Sequence, residues 1–155
     1  GLGDVYKRQG DIYRDSPIDK FITSIYCNLD YKRHELSYVN SGHNPPYIVR
    51  TANKRVEELD QCGLMLGIME EIDLPKATLS INKDDILMLF SDGITEATNR
   101  AGELYSEENF KEWLLDNSHL SAEEMKKALL KTLKEYAEGS SQSDDITFII
   151  LKRSS

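Results

Sequence analysis

The spacing of apolar residues divides the chain into a first part rich in short strands and a second part that is helical. Alternating or continuous apolar runs bounded by turn residues are typical of β-strands. The predicted strands cover residues 24–29, 36–39, 47–50, 55–59, 77–81, 86–90 and 146–152. Because residues 86–90 are all apolar, we expect that strand to be buried on both faces.

Amphipathic helices are predicted between the last two strands. Ser106 is a candidate N-cap for the first helix, and Ser121 with Glu124 forms a capping box for the second. The apolar residues that share one face are Phe110, Trp113 and Leu114 in the first helix and Met125, Leu129 and Leu133 in the second. Strands followed by helices in this order predict an α+β fold in which helices cover mostly antiparallel strands.

Length and composition indicate one globular domain without a membrane-spanning segment. The 155 residues carry a net charge of −8, and this acidic balance argues against a non-specific nucleic-acid binder. The longest apolar run, residues 86–90, is far shorter than the roughly 18 residues that a transmembrane helix needs. Cys27 and Cys62 have no metal-binding spacing, and the first residues lack the pattern of a signal peptide. We therefore expect reduced, buried thiols in a cytoplasmic protein.

The first nine residues do not fit the pattern of the rest. Residues 1–9, GLGDVYKRQ, have neither helical nor strand periodicity. We interpret them as a non-native extension, with a disordered native start as the alternative. The predicted domain therefore covers residues 10–155.

Acidic residues stand beside two of the apolar strands. Asp92 and Gly93 come just after residues 86–90, and Asp144 and Asp145 come just before the last strand. If those strands are neighbours, Asp92 and Asp144 point to one spot, where two carboxylates about 4 Å apart repel by roughly 4 kcal/mol at an effective dielectric near 20. A divalent cation removes this repulsion, and oxygen ligands without Cys or His favour Mg²⁺ or Mn²⁺.

The alternative is that these carboxylates belong to ordinary solvated turns. Asp84 and Asp85 illustrate that alternative, because they also precede an apolar strand. We interpret that pair as a plain turn.

A set of short motifs changes the balance between these alternatives. The motifs lie, in order, at residues 21–23, 38–46, 66–68, 87–97 and 144–147. Together they resemble the PPM-type metal-dependent serine/threonine phosphatases, in the SpoIIE/RsbU-like bacterial branch. The resemblance extends from about residue 21 to residue 152.

The resemblance implies an α-β-β-α sandwich of antiparallel sheets with two Mg²⁺ or Mn²⁺ ions between them. It implies that Asp92 and Asp144 are metal ligands, that Gly93 supports the turn, and that Asp145 is the second choice at its site. The implied reaction is attack of a metal-activated water on a phosphoserine or phosphothreonine, which requires neither cysteine.

The loop at residues 41–46 contributes two further candidates. His43 is a candidate general acid toward the leaving seryl oxygen. The alternative is that His43 and Asn44 only form hydrogen bonds that fix the loop. Asn44 is a candidate for substrate binding.

One element of the family pattern has no counterpart here. The family has an upstream Gly-Asp-x-x-Gly-x-Gly motif whose Asp bridges the two metals, and this chain lacks it. We therefore expect residues 10–155 to be the C-terminal two-thirds of a phosphatase domain, with the N-terminal part missing. We expect little or no activity from this fragment alone.

The resemblance also suggests partners and leaves two rival functions open. A phosphorylated protein, in particular an anti-sigma-factor antagonist, is the implied substrate, and an upstream sensor or receiver domain is the implied regulator. The first rival is a catalytically inactive regulatory module of the same fold. The second is a hydrolase of small phosphoesters.

Overall fold

The computed structural model describes a mixed α and β chain in two units. The described residues are 10–15, 20–60, 62–139 and 145–154. The first unit is Gly1–Pro45 with Asp60–Ile81, and the second is Pro46–Leu59 with Asn82–Ser155. The predicted extension at residues 1–9 and the predicted ligand Asp144 lie outside the described residues.

The elements follow the predicted order closely. In chain order they are α1 (described over residues 10–15), β1 (Ser24–Asp30), β2 (Glu35–Ser41), β3 (Tyr47–Arg50), β4 (Arg55–Glu58), β5 (Cys62–Gly63), β6 (Lys76–Ser80), β7 (Ile86–Phe90), α2 (Glu107–Asp116), α3 (Ala122–Tyr136) and β8 (Phe148–Lys152). The predicted α+β class is confirmed. Among the described residues, no helix is long and apolar enough to cross a membrane.

The first unit is built on a four-stranded sheet with β2 at its centre. β2 pairs antiparallel with β1 and β6, and it pairs in parallel with the short strand β5. Ile12 from α1 packs on a small core of Val39, Leu66 and Leu74. Neither α1 nor the parallel strand was predicted from the apolar periodicity, and the two residues of β5 are too few to contain a repeat.

The second unit has a four-stranded antiparallel sheet in the order β4-β3-β7-β8. Its core joins apolar residues of the sheet to the apolar faces of α2 and α3. Tyr47, Phe90 and Phe110 form the aromatic centre of this core, with ring centroids 4.8 Å apart for Tyr47 and Phe90 and 5.0 Å apart for Phe90 and Phe110. β7 is buried almost throughout, as its continuous apolar sequence predicts.

Both helices begin where their caps predict. The Ser106 side chain accepts a hydrogen bond from the Asn109 N–H, and Ser121 with Glu124 completes a reciprocal capping box. The residues predicted to share a face are the buried ones, namely Phe110, Trp113 and Leu114 in α2 and Met125, Leu129 and Leu133 in α3.

Two expectations are wrong. Asp85 is not part of a plain turn: it is 1% exposed and pairs with Arg50 at 2.6 Å, because the chain turns inward at the start of β7. Its neighbour Asp84 stays exposed. Cys62 is exposed rather than buried, since β5 is a short strand at the edge of the first sheet, whereas Cys27 is partly buried.

Candidate active site

The strand pairing on which the sequence-based site was conditional is present: β7 pairs with β8, which brings the described residues on either side of the two acidic segments to the same end of the sheet. The strands are antiparallel with Phe90 opposite Phe148, so the residues after β7 lie beside those before β8. The Ser91 N–H continues the ladder by donating to the Thr147 carbonyl at 2.9 Å. Asp92 comes next in the chain and is exposed.

Side-chain and steric contacts join the two segments beyond the ladder. The Ser91 hydroxyl donates to the Asp145 carbonyl at 3.0 Å and accepts from the Thr147 N–H at 3.0 Å. A Cβ atom added to Gly93 would lie 2.6 Å from the Asp145 carbonyl oxygen. Gly93 is therefore required for a close approach of two backbones, and the neighbour it accommodates is Asp145.

The turn after β7 holds the Asp92 backbone in place. The Asp92 carbonyl accepts from the Glu96 N–H at 2.9 Å and from the Thr95 hydroxyl at 3.2 Å. The Asp92 carboxylate forms no ion pair or hydrogen bond with the part of the chain that the structure describes. An exposed carboxylate on a hydrogen-bonded turn, with no cationic partner in the described ranges, suits a hard metal ion.

The described residues supply only part of a metal site. Asp92 and Asp145 lie beside the end of the β7–β8 pair, and Asp145 is exposed. Glu58, at the same end of the sheet, pairs with Lys111 at 2.6 Å. No group of three or more His, Cys, Asp or Glu residues in the described ranges is arranged to hold a metal ion. Carboxylate oxygens are the donors that Mg²⁺ and Mn²⁺ prefer, so the residues present fit such an ion without completing a site.

The loop that contains His43 lies in the first unit, and a buried asparagine shapes it. Asn40 is fully buried, donates to the His43 carbonyl at 2.8 Å and accepts from the His43 N–H at 2.8 Å. Gly42 has φ +69°, and its N–H donates to the Cys62 sulfur at 3.3 Å. The loop is thus held by backbone contacts, and among the described residues the His43 imidazole has no hydrogen-bond partner.

Sequence reasoning missed Ser91 and Asn40. Each is a small polar residue at the end of a strand, which is a common place for turn-forming residues of no chemical consequence. Both residues could have been found from their position in the sequence, because Ser91 adjoins the predicted ligand Asp92 and Asn40 lies three residues before His43. The roles predicted for His43 and Asn44 remain predictions.

Comparisons with known proteins agree with the fold and identify the family. The family described as Stage II sporulation protein E (SpoIIE) matches residues 3–154. The chain therefore belongs to the SpoIIE family, and the predicted SpoIIE/RsbU-like, PPM-type membership is confirmed. The phosphoserine phosphatase RsbU of Bacillus subtilis is 30% identical over 133 residues, which are 86% of this chain and 39% of RsbU.

Solved structures show the same fold. The SiaA-PP2C domain of Pseudomonas aeruginosa superposes with a TM-score of 0.81 at 19% identity, over 97% of this chain and 58% of that one. The phosphatase domain of SpoIIE from Bacillus subtilis, presoaked with Mn, gives a TM-score of 0.62 at 18% identity, over 99% of this chain and 67% of that one. The chain spans about two fifths of the length of RsbU.

Proposed function

We propose that the protein is a metal-dependent phosphatase that hydrolyses phosphoserine or phosphothreonine on another protein. The observation that carries the proposal is the exposed Asp92 carboxylate, which has no partner among the described residues and lies on a hydrogen-bonded turn beside the acidic segment before β8. Membership of the SpoIIE family and the named activity of RsbU support it.

The metal assignment concerns Asp92 and Asp144, with Asp145 as the second choice at its site. These carboxylates would hold Mg²⁺ or Mn²⁺, with two ions in the complete domain. When bound, such ions lower the pKa of a water molecule and neutralise charge on phosphate oxygens. The Mn-presoaked SpoIIE phosphatase structure is consistent with this choice of metal.

The chain's own residues supply position and, in one case, a proton. The Asp92 turn and Gly93 set the place of the acidic groups. His43 is the candidate for donating a proton to the leaving seryl oxygen, because its imidazole has no hydrogen-bond partner in the described part of the chain and Asn40 forms two hydrogen bonds to its backbone. Asn44 is the candidate for contacting the substrate.

The partner and setting follow from the resemblance and from the relatives. A phosphorylated protein, specifically an anti-sigma-factor antagonist, is the proposed substrate in a bacterial signalling pathway. An upstream sensor or receiver domain is the proposed regulator, and the cytoplasm is the proposed location.

The test compares two substrates with the protein encoded by the complete native gene. With Mn²⁺, we expect turnover of a phosphoserine peptide to exceed that of p-nitrophenyl phosphate. A bound metal stabilises the charge of the transition state by several kcal/mol. Because Asp92→Asn removes one proposed ligand of that metal, we expect kcat/KM to fall at least about 100-fold. Asp116→Asn is the matched control, because Asp116 is an exposed aspartate at the end of α2.

Each alternative outcome identifies a rival. Preference for p-nitrophenyl phosphate would favour the small-phosphoester hydrolase. Absence of turnover with either substrate, combined with retained binding of a partner protein, would favour the inactive regulatory module. Full activity of Asp92→Asn would refute the metal assignment.

A further inference from the structure

We propose that Ser91 is a positioning residue that locks the segment before β8 against the Asp92 turn and thereby sets the spacing of the acidic groups. This inference rests on the proposed function, because the spacing matters only if those groups share a cation. Ser91 itself touches no substrate or metal in this proposal. It acts through the backbone of Asp145 and Thr147.

The first step of the argument is the use of the hydroxyl. A serine hydroxyl has one hydrogen to donate and lone pairs to accept. The Ser91 hydroxyl donates its hydrogen to the Asp145 carbonyl at 3.0 Å and accepts from the Thr147 N–H at 3.0 Å. Because its own N–H also donates to the Thr147 carbonyl at 2.9 Å, one residue makes three bonds to the segment before β8.

The second step is confinement from the other side. A Cβ added to Gly93 would lie 2.6 Å from the Asp145 carbonyl oxygen and 3.1 Å from its carbonyl carbon. The Asp145 carbonyl is therefore held between the Ser91 hydroxyl and the Gly93 backbone. It has little room to move relative to Asp92, which lies between Ser91 and Gly93 in the chain.

The third step concerns the effect of these Ser91 contacts on metal binding. The regular pairing of β7 with β8 ends at Phe90 and Phe148, and beyond that pair one backbone bond, from the Ser91 N–H to the Thr147 carbonyl, continues the ladder. Ser91 extends the hold to the two acidic segments. Partners that orient metal ligands without binding the metal typically change metal affinity by 10- to 100-fold when they are removed.

The experiment uses the protein encoded by the complete native gene, with Mn²⁺ as the probe. Ser91→Ala removes both side-chain bonds, whereas Ser91→Thr keeps a hydroxyl. Ser118→Ala is the matched control, because the Ser118 hydroxyl donates to the Leu115 carbonyl at 2.7 Å, away from the Asp92 turn. Mn²⁺ affinity is measured by calorimetry, and amide hydrogen exchange at Thr147 is measured without metal.

We expect Ser91→Ala to weaken Mn²⁺ binding by about 10-fold and to speed exchange at Thr147. Ser91→Thr is expected to stay within about twofold of the wild type in both measurements, and Ser118→Ala is expected to leave both unchanged. Unchanged exchange at Thr147 in Ser91→Ala would overturn the lock. Faster exchange with unchanged Mn²⁺ affinity would overturn the positioning role and leave a merely structural one.

Failure of the proposed function gives a different result. If the wild-type protein binds no Mn²⁺, the metal assignment fails before any variant is compared, and the role of Ser91 toward the metal fails with it. The exchange rate at Thr147 still reports whether the hydroxyl holds the segment.

Discussion

Replacing Asp85 with Asn is expected to destabilise the second unit by about 3 kcal/mol, although the change removes no more than a charge. Asp85 is 1% exposed and lies where the chain enters the buried strand β7. Its carboxylate accepts from the Arg50 guanidinium at 2.6 Å and from the Asn82 N–H at 2.9 Å. Both bonds end on the same carboxylate oxygen, Oδ2, so an Asn that places its amide oxygen there keeps both acceptor positions but loses the negative charge that pairs with Arg50.

The magnitude follows from the surroundings of the pair. Hydrogen bonds to charged groups contribute about 1.5–3 kcal/mol each, and breaking a fully buried ion pair costs about 3–5 kcal/mol. The Arg50 side chain is 17% exposed and keeps Glu57 at 3.1 Å, so it is not left without a counter-charge. These two facts place the expected loss near the lower limit of the range for a buried pair.

Urea unfolding followed by circular dichroism tests the prediction. Small proteins lose about 1–3 kcal/mol of stability per molar urea, so a loss of about 3 kcal/mol lowers the midpoint by about 1–3 M. Asp84→Asn is the control: it makes the same charge change on the exposed neighbour, and Asn tolerates the φ of +65° found there. Equal midpoints for the two variants would refute the reasoning, because they would show that burial of the pair carries no weight.

Two further predictions concern a glycine and the cysteines. Gly93→Ala should cost about 1–3 kcal/mol in urea unfolding and weaken Mn²⁺ binding, because its Cβ would press on the Asp145 carbonyl. Gly102→Ala is strained by the φ of +79° at that position, but its Cβ meets no atom within 4 Å, so we expect it to leave Mn²⁺ affinity unchanged. Equal Mn²⁺ affinities in the two variants would contradict the prediction. Burial raises the pKa of the Cys27 thiol to about 11, so about one Cys27 thiol in a thousand is ionised at pH 8. With iodoacetamide, we expect peptide mass spectrometry to find the exposed Cys62 alkylated far sooner than Cys27. Equal alkylation rates at the two cysteines would contradict this prediction.

The helices and most strands were predictable because their signals are local. The capping box at Ser121 and Glu124 lies within one helical turn, and the apolar residues of α3 repeat within a few turns. The alternation in β2 similarly needs only adjacent residues. Such patterns specify the element and its buried face without reference to the rest of the chain.

The parts that were not predicted depend on residues far apart in the chain. Asp84 and Asp85 are adjacent aspartates, yet only Asp85 is buried. The difference is the ion pair that Asp85 forms with Arg50, which lies 35 positions away in the chain. The parallel pairing of β5 with β2 is equally non-local, and its two residues offer no periodicity. Neither outcome has a signature within a short window of sequence.

The candidate site divides in the same way. Asp92 and Gly93 were identifiable from a motif and from their place after an apolar strand, and the same reasoning made their proximity to the segment before β8 conditional on strand pairing. The pairing of β7 with β8 satisfied that condition. The contact of Ser91 with Asp145 followed only from it, across 54 positions of chain.

By itself, the sequence determined the element order, the buried faces, the family and the candidate acidic residues of the site. These depend on local periodicity and on motifs of consecutive residues. Only the tertiary structure decided which aspartate is buried, which small polar residues hold the acidic segments together, and which atom requires Gly93 to lack a side chain. The physical reason is that desolvation, ion pairing and close backbone approach are properties of the space between segments, and that space exists only once the strands have paired.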